Sequence, residues 1–180
     1  MAQDKMAFFE RATTDAFSFL TTDCGFMPAS TEIQADQVEK EIYTITYRGR
    51  AAEVQLLYYV NSNSVTCALS RLERSPEGLP KSVGAYSVDF LIKLRCPERE
   101  IAEGDENNTD EDITRILCSY ADILREDGRE VLAGDPLIFS EMERIGAEEW
   151  AQSLDSGAVV MLTDETGTYV FGGEDETKPN

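Results

Sequence analysis

The chemistry open to this chain is limited first by an absence: its 180 residues include no histidine. Without imidazole there can be no Ser-His-Asp or Cys-His pair, no HExxH zinc site and no histidine acid–base. Four cysteines, Cys24, Cys67, Cys96 and Cys118, are dispersed and form no CxxC. Such spacing reads as reduced thiols and not as a disulfide framework, which points to a cytoplasmic address. Cys96 stands beside Arg95, the best setting of the four for a nucleophile, but packing at a strand end is the simpler account of it. Carboxylates are the abundant group, with 35 acids against 16 bases and a net charge of −19. No spacing singles out a catalytic pair, and no glycine-rich phosphate loop is present. The chain therefore reads as a protein that is not an enzyme and that uses no cofactor and no metal.

The charge is unevenly placed. Residues 1–97 hold 12 acids and 10 bases, whereas residues 98–180 hold 23 acids and 6 bases. A salt-adapted protein would spread acid over all its surfaces; this pattern instead suggests a localised face or tail. Direct nucleic-acid binding is disfavoured, because phosphates are neutralised by lysine and arginine. The connector 98–112, EREIAEGDENNTDED, fails as a calcium loop. With Asp105 as the first position, Asp110 falls where an EF-hand needs glycine and Ile116 where it needs glutamate. A solvated loop is expected there. The apolar runs are too short to cross a bilayer, and no signal peptide is visible.

Several elements must position the acids. Residues 4–22 read as an amphipathic helix capped by Asp4, with Phe9, Ala12, Ala16, Phe19 and Leu20 on one side, widened by Phe8 and Phe17. Residues 26–37 read as a connection. Strands are expected at 42–47, 54–60, 65–72 and 86–94, with turns at Arg48-Gly49-Arg50 and Asn61-Ser62-Asn63 and a loop over 75–84. A second helix, capped by Asp110 or Asp112, would bury Ile113, Ile116, Leu117, Tyr120, Ala121 and Leu124, bend near Gly128, and keep Val131 and Leu132 on the same side. Asp135-Pro136 opens a third helix with Leu137, Phe139, Met142 and Ile145, running to about Trp150. Residues 159–171 suggest a short hairpin. The expected fold is α+β: an N-terminal helix, a four-stranded antiparallel meander and two C-terminal helices, with 1–154 as one domain and 155–180 as hairpin and acidic tail.

Opposite the buried stripes of the second and third helices lie Asp122, Glu126, Asp127, Glu130, Glu141, Glu148 and Glu149. Carboxylates on rigid helices, a few ångströms apart, can meet a basic protein and speed its association. Asp122, Glu126, Glu130, Glu141 and Glu148 are the expected partner-binding residues. Arg125, Arg129 and Arg144 are expected to pair with neighbouring acids, and Tyr58, Tyr59 or Trp150 are candidate apolar anchors.

Two strings carry a family resemblance. FSFLTTDCGF (Phe17 to Phe26) resembles the first-helix ending "FL…YGF" of many small bacterial α+β proteins. YADILREDGREVLAGDPLIFSEMERI (Tyr120 to Ile145) is similar to their closing pattern, "LR.HG..VL.GD…F..LE". The likeness spans about residues 6–150 and departs at the acidic connector and after residue 155. Some of those proteins are encoded like immunity proteins of bacterial toxin systems. The resemblance thus implies a binding protein that neutralises a basic partner such as a toxin or nuclease. The order of elements also resembles acidic chaperones of type III secretion, which would imply a homodimer holding an extended client.

Overall fold

The structure, a computed structural model, describes residues 2–34, 41–76, 78–99, 108–155, 160–164 and 167–171. The chain divides into two compact units, Met1–Met142 and Glu143–Asn180. The class is α+β. The first unit is built on a five-stranded antiparallel sheet of order β1-β2-β3-β4-β5: Met27–Gln34, Ile42–Arg48, Ala52–Tyr59, Ser64–Arg74 and Pro80–Ser87. The fifth strand is β1, which was expected to be a connection. As an edge strand it is tied by main-chain pairing to β2 and leaves most of its side chains exposed, so it carries no alternating apolar signal. The final strand is also displaced. Pro80–Ser87 is β5, and residues expected to continue as a strand form helix α3, Val88–Arg95.

Local chemistry explains that correction. The hydroxyl of Ser87 accepts from the Asp89 amide, which caps a helix and not a strand, and Lys93 and Arg95 suit its C-terminal turn. Val88, Leu91 and Ile92 are buried at helical spacing. The expected single N-terminal helix is likewise two, α1 (Ala2–Ala16) and α2 (Ser18–Thr22), broken at Phe17. On one continuous helix Phe17 and Phe19 would point about 200° apart. The break allows both to be buried. Asp4 lies within the first turn of α1 and is not its cap.

Helix α4 (Asp110–Glu126) buries every expected stripe residue, together with Ile123. Its cap is Thr109, not Asp110 or Asp112. The Thr109 hydroxyl accepts from the Asp112 amide, while the Asp112 carboxylate accepts from the Thr109 amide at 2.9 Å and hydroxyl at 2.7 Å. The same helix start is clamped to the β3–β4 turn. Asn108 donates from its side-chain amide to the carbonyl of Asn63 at 2.8 Å, and Asn63 donates in return to the carbonyl of Asn108. The Asn63 backbone is left-handed (φ 49°), a conformation asparagine tolerates better than most residues, and the Tyr58 hydroxyl donates to its side chain.

Gly128 separates α4 from the short α5 (Arg129–Leu132). Gly134, at φ 72°, then approaches the backbone of Ala51 so closely that a Cβ would sit 2.5 Å from the Ala51 carbonyl oxygen. Helix α6 runs over Pro136–Asp155. Its first turn corrects the expected stripe: Leu137 is 74% exposed, whereas Ile138 is buried beside Phe139 and Met142. In the second unit, β6 (Val160–Asp164) pairs antiparallel with β7 (Gly167–Phe171). The tail 172–180 and connector positions 100–107 lie outside the described residues. Among the described residues, no helix is long and apolar enough to cross a membrane.

Two measurements check this account. Asn108→Ala should cost about 0.5–1.5 kcal/mol in urea unfolding, because it removes the side-chain donor to the carbonyl of the half-buried Asn63. In the same assay Ile138→Ala should cost about 2–5 kcal/mol, while Leu137→Ala stays within about 0.5 kcal/mol of wild type. A pH series tests the cap. The hydrogen bonds from Thr109, ahead of nearby Arg115, lower the Asp112 pKa below its ordinary value of 3.8. A lowered carboxylate pKa stabilises the fold above the ordinary value and loses that contribution as pH falls through the folded one. Asp112→Asn should therefore be less stable than wild type at pH 6, and the gap should close in strong acid.

Candidate functional site

The apolar stripe of α4 turns the opposite side of the helix to solvent, and there the expected acids meet arginines. Asp122 pairs with Arg125 at 2.7 Å, Glu126 with Arg99 at 2.9 Å, and Glu130 with Arg95 at 2.5 Å. Arg99 also lies 3.4 Å from Asp127. In the second unit Glu148 pairs with Arg144 at 2.6 Å. Glu141 is exposed, with no ion pair among the described residues. Hence four of the five expected contact residues already hold a cation of the chain itself. All these pairs are largely solvent-exposed, and such pairs contribute only about 0.2–1 kcal/mol each.

Asp122, Glu126 and Glu130 are gathered at the end of α4 and on α5, where Arg95 and Arg99 reach them from α3 and the turn beyond it. The arginine pairing anticipated from sequence applies to Arg125 and Arg144; Arg129 has no ion pair among the described residues. The parts played by Arg95 and Arg99 were missed because residues 86–94 read as a strand. Only recognition of Ser87 as a helix cap would have brought Arg95 round to α5. Of the candidate anchors, Tyr58 is buried beneath Phe9, with ring centroids 5.3 Å apart, and Tyr59 and Trp150 are half-buried. None of the three is a fully exposed aromatic.

The concave feature next to these acids was not legible in sequence. A pocket of about 440 Å³ opens between α2 and the α4–α5 turn. Phe19, Leu124, Leu132 and Ala133 supply apolar walls, with Asp23, Cys24, Arg125, Glu126 and Arg129 also lining it. The Arg125 guanidinium lies 4.7 Å from the centre of the Phe19 ring. That cation–π contact and the Asp122 pair together hold the guanidinium beside the pocket. A second pocket of about 350 Å³ lies between α1–α2 and β1–β2. Its Ser18 and Thr21 hydroxyls are engaged with helix carbonyls.

The thiols sort by environment. Cys67 and Cys96 are buried, and Cys24 and Cys118 are exposed. Burial, then Asp127, pushes up the pKa of the Cys96 thiol, while its neighbour Arg95 is turned to Glu130. Burial also raises the pKa of Cys67 and, with help from Asp23, that of Cys24. A raised pKa lowers the thiolate population, which is the opposite of nucleophile activation. Among the described residues, no group of three or more cysteine or acidic side chains is placed to hold a metal ion. No protein-family model, curated protein or solved structure matches this chain.

Thiol titration tests the arrangement. Under native conditions at pH 8, Cys24 and Cys118 should react with a disulfide reagent, whereas Cys67 and Cys96 should react only on unfolding. Fast modification of Cys96 in the folded protein would contradict the environment described.

Proposed function

We propose that this protein is a non-enzymatic binding protein whose acidic side engages and neutralises a basic protein partner, such as a toxin or nuclease. The observation that carries the reading is the group of carboxylates that the first unit holds outward on α4 and α5, Asp122, Glu126 and Glu130, each in an exposed ion pair with an arginine. The family resemblance of Phe17–Phe26 and Tyr120–Ile145 adds the immunity-like role. Asp122, Glu126, Glu130 and Glu141 are the contacts assigned to the first unit, and Glu148 is a separate one on the second.

The ion pairs refine how such a face would work. Arg125, Arg99 and Arg95 offset much of the local charge, so contact there depends on geometry as well as on net attraction. An incoming lysine or arginine competes for a carboxylate already oriented by its present partner. The excess of acid from residue 98 onward still supplies long-range steering, and that part is sensitive to salt.

The test uses the product of the adjacent reading frame as candidate partner, with calorimetry and growth rescue on co-expression. The expected result is a complex that weakens about tenfold or more between low and high salt. Changing Asp122 to Asn and Glu126, Glu130, Glu141 and Glu148 to Gln together should weaken it again by about tenfold or more and reduce rescue. A complex indifferent both to salt and to these replacements would overturn the reading.

A further inference from the structure

We infer that the pocket between α2 and the α4–α5 turn receives an aromatic side chain of the partner, flanked by basic residues. The inference rests on the binding-protein reading and names the chemistry of its anchor. Stable interfaces join an apolar centre to a polar rim, with affinity concentrated in a few buried side chains. The pocket has that anatomy: Leu132 and Ala133 give its accessible apolar surface above the buried Phe19 and Leu124, and the charged groups of Asp23, Arg125 and Glu126 stand beside them. Its volume of about 440 Å³ falls in the range of sites that enclose small groups, and it accommodates one large side chain.

Three features select the occupant. Arg125 lies over the Phe19 ring, 4.7 Å from its centre, and pairs with Asp122 at 2.7 Å, and its side chain remains 48% exposed. A guanidinium held in this way and still half-exposed can receive a second ring through a cation–π contact, which an aliphatic chain cannot make. Asp23, in the pocket lining, has no ion pair among the described residues, so a lysine or arginine next to the incoming ring finds a carboxylate there. Arg129 has none either, and its N–H donors suit main-chain carbonyls of an incoming segment. The ring is assigned to the partner because none of the chain's own candidates is fully exposed: Tyr58 is buried, and Tyr59 and Trp150 are half-buried.

Two exposed cysteines make the test direct. Cys24 lines the pocket, whereas Cys118, an exposed residue of α4, does not line it and serves as internal reference. The probe is the peptide acetyl-Lys-Lys-Trp-Lys-Lys-amide, with a control in which alanine replaces the tryptophan. Alkylation of both cysteines is followed by mass spectrometry. At millimolar peptide the tryptophan form should slow Cys24 by about fivefold and leave Cys118 unchanged, and the alanine form should slow neither. Ala133→Trp, which fills the pocket from its rim, should abolish the peptide's effect. Arg125→Lys, which keeps the charge but loses the plane, should reduce it severalfold. Equal protection by both peptides, parallel slowing of Cys118, or no protection would overturn the inference. A partner complex that is salt-sensitive but unweakened by Ala133→Trp would overturn the pocket and leave the acidic face standing. Tryptophan-dependent protection without any salt-sensitive partner would do the reverse.

Discussion

Burial of one face of α4 is the constraint on which the remaining architecture depends. Ile113, Ile116, Leu117, Tyr120, Ala121, Ile123 and Leu124 are all withdrawn from water, and a large side chain so placed gains about 1.5–3 kcal/mol over an exposed one. With that side committed to α1 and the sheet, the other side must face solvent, and Asp122, Arg125 and Glu126 follow from the helical repeat. The start of the helix is fixed independently. Thr109 and Asp112 satisfy its first amides, and the reciprocal Asn63–Asn108 contact binds the turn before it to the β3–β4 hairpin. Rotation of α4 is therefore opposed by packing along its length and by hydrogen bonds at its origin.

Electrostatics then act on a frame already set. A chain with so large an acid excess would be expected to leave its carboxylates bare, yet arginines from α3, from α4 itself and from the turn after α3 reach Glu130, Asp122 and Glu126. These pairs add little to stability, because both partners remain in water and are screened by salt. Their effect is positional. A carboxylate held by a guanidinium has fewer rotamers, so an approaching cation meets an oriented group. Arg125 serves twice, lying over the Phe19 ring while holding Asp122, and thereby joins the charged surface to the apolar pocket beside it.

Much of the fold could be read from residue order, and the failures have physical causes. The stripe of α4 was legible because six apolar positions obey one period, and the structure adds only Ile123 to them. The β2–β3–β4 meander was legible because its turn residues and β-branched runs alternate clearly. Residues 86–94 misled because Tyr86, Val88, Phe90 and Ile92 also fit a period of two; the Ser87 hydroxyl and the burial of Leu91 decide for a helix. Strand β1 was hidden because an edge strand needs no apolar face. In α6 the choice between Leu137 and Ile138 could not be made from type, since both are aliphatic and the angle at which Pro136 starts the helix decides which turns inward. Among the expected contact residues, exposure followed from helical phase alone. Their pairing with Arg95 and Arg99 required long-range geometry that no local pattern encodes.

The same distinction separates the two parts of the functional reading. The acid excess is a property of composition and survives any rearrangement of surface side chains, so it can direct encounter but cannot by itself confer selectivity. The pocket is a property of the fold. It exists because α2 is a separate short helix after the break at Phe17, which lets Phe19 stand opposite Leu124 with Arg125 over it. A continuous N-terminal helix would place Phe17 and Phe19 on different sides, and only one of the two could meet α4. Discrimination between basic partners therefore belongs to the site formed at that break, where shape, the held Arg125 guanidinium and Asp23, which has no ion pair among the described residues, must be matched together.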